Sequence, residues 1–134
     1  DPVTGAVVDG KGRTWLPGQL GYLKAALDNS RQLGLVLGSD QMPGFGETAV
    51  RTDLPLSTDR NYGALLLVNG SEHNLISSFA KANPLRSQQS LSLVAPGRGV
   101  SFGFEDKRPW QWGSDRDFND VIVTVTPAVP TVTV

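Results

Sequence analysis

The sequence holds no cysteine, one histidine and one methionine in 134 residues. Without cysteine there is no disulfide scaffold, no thiolate zinc site and no cysteine nucleophile. His73 stands alone, so there is no second imidazole for zinc, and it reads as a surface side chain. No Gly-x-Ser-x-Gly elbow is present and His73 has no evident Ser and Asp partners, so the chain is not expected to be an enzyme. Net charge is almost nil, with 12 Lys plus Arg against 13 Asp plus Glu. That balance argues against a nucleic-acid binder and against a polybasic membrane module. Long apolar runs are also missing: the longest, residues 64–68, is far too short to span a bilayer. The chain opens on Asp1 with no signal-like stretch, which is expected of a piece of a longer protein.

What is abundant is punctuation. Fifteen glycines and nine prolines recur at intervals that suit short strands joined by turns, while ordinary apolar content argues against disorder. The length fits one domain with a core of its own. Leu16, Leu20, Leu23 and Leu27 recur at helical spacing, with Pro17 near the start and Asn29 as a stop, which predicts a short helix over 19–29. Residues 32–37, 62–68, 90–94, 100–104 and 118–125 read as strands, with 47–51 a weaker candidate. Val100, Phe102 and Phe104 alternate with Ser101 and Gly103, placing one face on a core. Val121, Ile122 and Val123 are consecutive, which predicts a central strand covered on both faces for part of its length. Asn69-Gly70 reads as a turn. The expected fold is mainly β, a β-sandwich with one short helix near the N-terminus. The domain is expected over 1–126, with 127–134 a Pro/Val/Thr-rich linker or tail.

The chemistry concentrates in residues 105–120, where Glu105, Asp106, Asp115, Asp117 and Asp120 gather five of the thirteen acids. Carboxylates crowded this way repel unless something cationic lies between them. A hard cation with oxygen ligands is the simplest solution, and Ca2+ takes 6–8 oxygens in flexible geometry. Asp115, Asp117 and Asn119 match the Asp-x-Asp-x-Asn opening of an EF-hand loop, but Asp120 and Thr126 stand where that loop needs Gly and Glu. A different acidic loop is therefore expected, completed by Glu105 and Asp106 from the end of the preceding strand. If 117–125 ran as a strand, Asp117 and Asn119 would face away from Asp120, so one ion could not use all five acids without a bulge or a second site. The competing reading is a solvated acidic hairpin paired to Lys107, Arg108 and Arg116. Trp110 and Trp112 flank Gln111 in the same hairpin loop, either as an apolar wall beside a metal-bound ligand or as a cover for the end of the core.

Gly103-Phe104-Glu105-Asp106 followed by Ser114-Asp115-Arg116-Asp117-Phe118-Asn119-Asp120-Val121 resembles the signature of a domain of large bacterial RTX adhesins and other secreted calcium-dependent surface proteins. Leu16-Pro17-Gly18, Gly21-Tyr22 and Ala25-Ala26-Leu27 are similar to that domain's opening, and Asn83-Pro84 also fits. The resemblance covers roughly residues 7–126. It implies a monomeric β-sandwich module on the bacterial surface, in which bound Ca2+ helps capture the C-terminal carboxylate of a partner protein, serving cell adhesion or biofilm formation. Carried onto this chain, it makes Glu105, Asp106, Asp115, Asp117, Asn119 and Asp120 the metal-site residues. Beside them, Trp110, Trp112, Ser114 and Arg116 are this chain's own candidates to meet the ligand. Partners would be protein C-termini or peptides on host or neighbouring cells, with a glycan as runner-up. The insert 109–112 departs from the Gly-rich loop of that domain. Two other readings stay open: a structural module stiffened by Ca2+, and a carbohydrate-binding module in which Trp110 or Trp112 stacks on a sugar ring.

Overall fold

The computed structural model describes residues 1, 3–44, 46, 49–57, 60–96 and 98–127. The fold is mainly β with a single short helix, as the sequence predicts. The chain divides into two compact units, Asp1–Tyr62 and Gly63–Val134. No helix among the described residues is long and apolar enough to cross a membrane.

In the first unit, β1 (Val7–Val8) pairs antiparallel with β2 (Thr14–Trp15). Asp9 closes this hairpin: its carboxylate accepts the Lys11 and Arg13 backbone N–H groups and the Trp15 indole N–H at 2.9–3.0 Å. The indole hydrogen bond, foremost, and these backbone donors hold the Asp9 carboxyl far below its ordinary value. The helix α1 spans Tyr22–Gln32, three residues later than predicted. Gly21 caps it at φ 101°, a left-handed conformation that stops the helix from running back through Leu20. Leu20 is accordingly 98% exposed, and the Leu16/Leu20 pair belongs to a turn rather than to the helix face. Tyr22, Ala25 and Leu27 are the buried residues of α1.

The helix ends not at Asn29 but in a Schellman arrangement. Gly34, at φ 68°, donates to the Arg31 carbonyl at 3.2 Å and Leu35 to the Ser30 carbonyl at 2.9 Å. That turn occupies the segment predicted as a strand over 32–37: Gln32 is helical and 33–38 pair with no strand. Asn29 instead donates its side-chain amide to the Val8 carbonyl at 2.7 Å. In the weaker strand candidate over 47–51, Glu47 and Thr48 lie outside the described residues and 49–51 are not in a strand.

In the second unit, β3 (Leu65–Leu67) pairs antiparallel with β4 (Leu75–Ser77). The connection turns at Asn69 and Gly70, φ 53° and 67°, where the Asn-Gly pair predicts it. The sheet that positions the site has the order β5 (Ser90–Ala95), β6 (Gly99–Phe104), β7 (Val121–Val125), antiparallel throughout. The burial of β6 does not alternate as predicted: residues 99–103 are all half-buried, and only Phe104, 2% exposed, is placed in the core. Two expectations for the last strand fail. It begins at Val121 rather than 118, because Arg116 and Phe118 sit at φ 63° and 58°, outside any extended conformation. Among the described strands it lies at an edge rather than in the centre, with Val121, Val123 and Val125 half-buried and Ile122 and Thr124 exposed. In the tail, 128–134 lie outside the described residues and Pro127 is not in a strand.

Candidate metal centre

The end of β6 delivers Glu105 and Asp106, and the loop that folds back toward β7 delivers Asp115, Asp117, Asn119 and Asp120. Glu105 is 1% exposed. A carboxylate is rarely buried so far without a compensating charge or a set of donors. The local backbone is built around it. Gln89, itself buried, accepts the Glu105 N–H at 2.9 Å through its carbonyl and donates its amide to the Glu105 and Lys107 carbonyls at 3.1 and 2.9 Å. The Arg116 backbone N–H donates to Glu105 Oε2 at 3.1 Å, tying the two motifs together across eleven residues. The Asp106 N–H donates to Asp120 Oδ2 at 2.9 Å. Within the loop, Asp115 and Asp117 accept the N–H two residues on, at 3.4 and 3.3 Å.

These constraints bring the carboxylates into two groups that share Glu105. One comprises Glu105, Asp115 and Asp117; the other comprises Glu105, Asp106 and Asp120. In each, one ligand oxygen per residue lies within 4.8 Å of the others. Oxygens bound to a single Ca2+ at about 2.4 Å can lie up to about 4.8 Å apart, so either group could hold a metal ion. The donor set is all hard oxygen, the kind that suits Ca2+, Mg2+ or Mn2+ rather than a thiophilic metal. The five acids do separate into two groups, but not by the strand alternation the sequence suggested, since 115–120 is an irregular loop with positive φ at Arg116 and Phe118.

The two neighbouring arginines do not neutralise these acids. Among the described residues, none of Lys107, Arg108 and Arg116 forms an ion pair with them. Arg108 is buried and turned away, donating Nη2 to the Leu75 carbonyl of β4 at 3.1 Å; burial lowers its pKa. The Arg116 guanidinium lies over the Phe118 ring, 4.9 Å from its centroid. The reading of a hairpin paired to its own cations therefore fails for Arg108 and Arg116. Burial pushes the Glu105 carboxyl above its ordinary 4.5, reinforced by a hydrogen bond to Asp120 and by its charge, and opposed by backbone N–H groups of Lys107 and Arg116. Asp106 rises above 3.8 for the same reasons, burial first and then Asp120.

With no ion, a raised carboxyl contributes stability that is complete below its ordinary value and lost as pH rises through its raised value. A cation needs the deprotonated groups, so it competes with protons over that same window. The expected result is that metal affinity weakens by about tenfold or more from about pH 7.5 to about pH 5, with proton release on binding at the lower pH. Calorimetry in buffers of different ionisation enthalpy measures both.

Of the other predicted site residues, Ser114 is half-buried, and its Oγ has no hydrogen-bond partner among the described residues; the same holds for Arg116 Nη1. Trp110 and Trp112 are 55% and 95% exposed. Trp112 therefore covers no core, which removes the packing reading for it. Sequence reasoning missed Gln89, whose amide holds the Glu105 strand end; nothing in the surrounding Gln88-Gln89-Ser90 sets it apart. Nor does the sequence reveal that Arg108, a counter-charge only in the competing reading, is tied to the Leu75 carbonyl.

A family described as a domain of unknown function (DUF4114) has a model that matches residues 52–128. The match takes in β3 to β7 and every acid of both groups. Neither a curated protein nor a solved structure matches the chain.

Proposed function

The chain belongs to the DUF4114 family, and we propose that it works as a calcium-dependent ligand-binding module of a bacterial surface adhesin, outside the cell, capturing the C-terminal carboxylate of partner proteins. The observation that carries this reading is the buried Glu105, shared by two carboxylate groups with which, among the described residues, no Lys or Arg side chain forms an ion pair. Glu105, Asp115 and Asp117 hold the ion on the loop side, and Glu105, Asp106 and Asp120 hold one between the end of β6 and the start of β7. Asn119 adds an amide oxygen from the same loop. Asp115 and Asp117 are exposed, so the first group opens to solvent, where a ligand can reach it. A bound Ca2+ there supplies a coordination position that water occupies and a ligand carboxylate can take.

A second role is favoured by the second group. The Asp106–Asp120 hydrogen bond already joins the two ends of the hairpin, and an ion there stiffens the module whether or not a ligand is present. The test is a titration of peptides with free C-termini in Ca2+, repeated with excess chelator and with C-terminally amidated peptides. Binding is expected in Ca2+ alone, and amidation is expected to remove most of it. Binding indifferent to the chelator overturns the calcium reading; Ca2+ uptake without any ligand leaves only the structural role.

A further inference from the structure

Resting on that reading, we infer that the loop 109–113 and Lys107 form the rest of the ligand site: Trp110 and Trp112 seat bulky apolar side chains at the end of a peptide while Lys107 draws its carboxylate toward the acidic centre. Exposed tryptophans on a stable fold mark binding surfaces more often than packing, because their apolar area is useful only when a partner covers it. Trp112 at 95% exposure contributes nothing to this fold. Yet the loop that carries it is tightly built. Gln111 N–H donates to the Arg108 carbonyl at 2.9 Å and Ser114 N–H to the Gln111 carbonyl at 3.3 Å, giving two successive turns. Gln111 Oε1 accepts the Arg108 N–H, and the Arg108 guanidinium ties the first turn to β4. The indoles are thus presented by an ordered backbone, which lowers the entropic cost of binding.

Lys107 supplies the link between this loop and the acids. Its Nζ lies over Gly113, where a Cβ would meet it at 2.6 Å; Gly113 holds φ 88°. Its charge also acts on Asp106. One cation therefore stands between the aromatic loop and the carboxylate groups. A neutral sugar has no use for it, whereas an anionic group with an apolar body fits both features. The free C-terminus of a polypeptide ending in a large apolar residue is that ligand.

The test is calorimetry of the Ca2+-loaded protein with free-acid peptides ending in Ala, Leu or Phe, their amidated forms, and a panel of acidic glycans. Leu- and Phe-ended peptides are expected to bind about tenfold tighter than Ala-ended ones. Trp112→Ala is expected to erase that preference while melting temperature and Ca2+ uptake hold. Lys107→Met is expected to weaken every free acid several-fold. A preference that survives in the Trp110→Ala/Trp112→Ala double variant overturns this inference and leaves the calcium–carboxylate reading standing. Ca2+ uptake with no free-acid peptide bound, or with acidic glycans bound alone, overturns both.

Discussion

Glu105→Gln is expected to abolish the response to Ca2+ while leaving the ion-free protein at least as stable as the parent. Gln is nearly isosteric and keeps a carbonyl oxygen for the Arg116 N–H that Glu105 accepts at 3.1 Å. It removes the charge whose burial, together with Asp120, raises the Glu105 pKa. Ionised Glu105 is unfavourable in the ion-free fold at neutral pH, so removing that charge relieves repulsion rather than breaking a pair. The same charge belongs to both carboxylate groups, so its loss takes the anionic oxygen from each and leaves at most a neutral amide oxygen in its place. In Ca2+ at 100 times its dissociation constant the parent gains about 2.7 kcal/mol, which corresponds to about 10 °C for a chain of this size. Thermal denaturation with Ca2+ and with chelator reads both effects in one experiment. Asp115→Asn, which touches only the first group, is expected to reduce the shift without removing it. Asp40→Asn, at an exposed acid outside both groups, is expected to leave it unchanged. A full Ca2+ shift in Glu105→Gln would show that the metal, if bound, sits elsewhere.

The opposite signs of the ion-free and loaded effects matter because either could arise alone from an ordinary structural acid. A carboxylate that only capped the loop would lose stability on conversion to Gln in both conditions. Only a ligand whose charge is unfavourable without its cation gains in one and loses in the other.

How much of this was legible in the residues follows from which interactions are local. The strands β5 and β6 could be read almost to their ends, because their side-chain alternation and flanking Gly and Pro are local signals. So could the acids themselves, since Glu105-Asp106 and Asp115-x-Asp117 bring charge together along the chain. The helix shifted because Gly21 and Gly34 take left-handed conformations, and nothing in the leucine spacing reveals which glycine will do so. The start of β7 moved for the same reason at Arg116 and Phe118, where non-glycine residues adopt positive φ and propensity predicts none. The clamp by Gln89 and the burial of Arg108 against Leu75, 33 residues away, are tertiary facts with no sequence signature. The division of the acids into two groups is of the same kind: it depends on how the loop folds over the sheet, not on alternation along a strand.

That folding-over rests on Gly103, and Gly103→Val is expected to cost about 3 kcal/mol and to weaken Ca2+ binding by about tenfold or more. Local preference points the other way: valine is a better strand residue than glycine, even one residue from the end of β6. The backbone of Gly103 pairs with Leu91 on one side and Ile122 on the other, and the Phe118 carbonyl oxygen lies against the position its Cβ would take. No side chain fits beneath that carbonyl, so a substitution must push out the loop that carries Asp115, Asp117 and Asn119 or distort the sheet that carries Glu105. Displacing the loop moves Asp115 and Asp117 relative to Glu105 and breaks the spacing within which their oxygens converge. Ser101→Val is the control two residues earlier on the same face, where the side chain hydrogen-bonds Thr124, Oγ to Oγ1 at 2.9 Å. Its loss is expected to stay within about 1 kcal/mol, with Ca2+ binding unaltered. Denaturant unfolding and Ca2+ titration of the two variants separate a general intolerance of β6 from the close approach at Gly103. Equal losses in both would remove that close approach as the reason the acidic loop holds its shape.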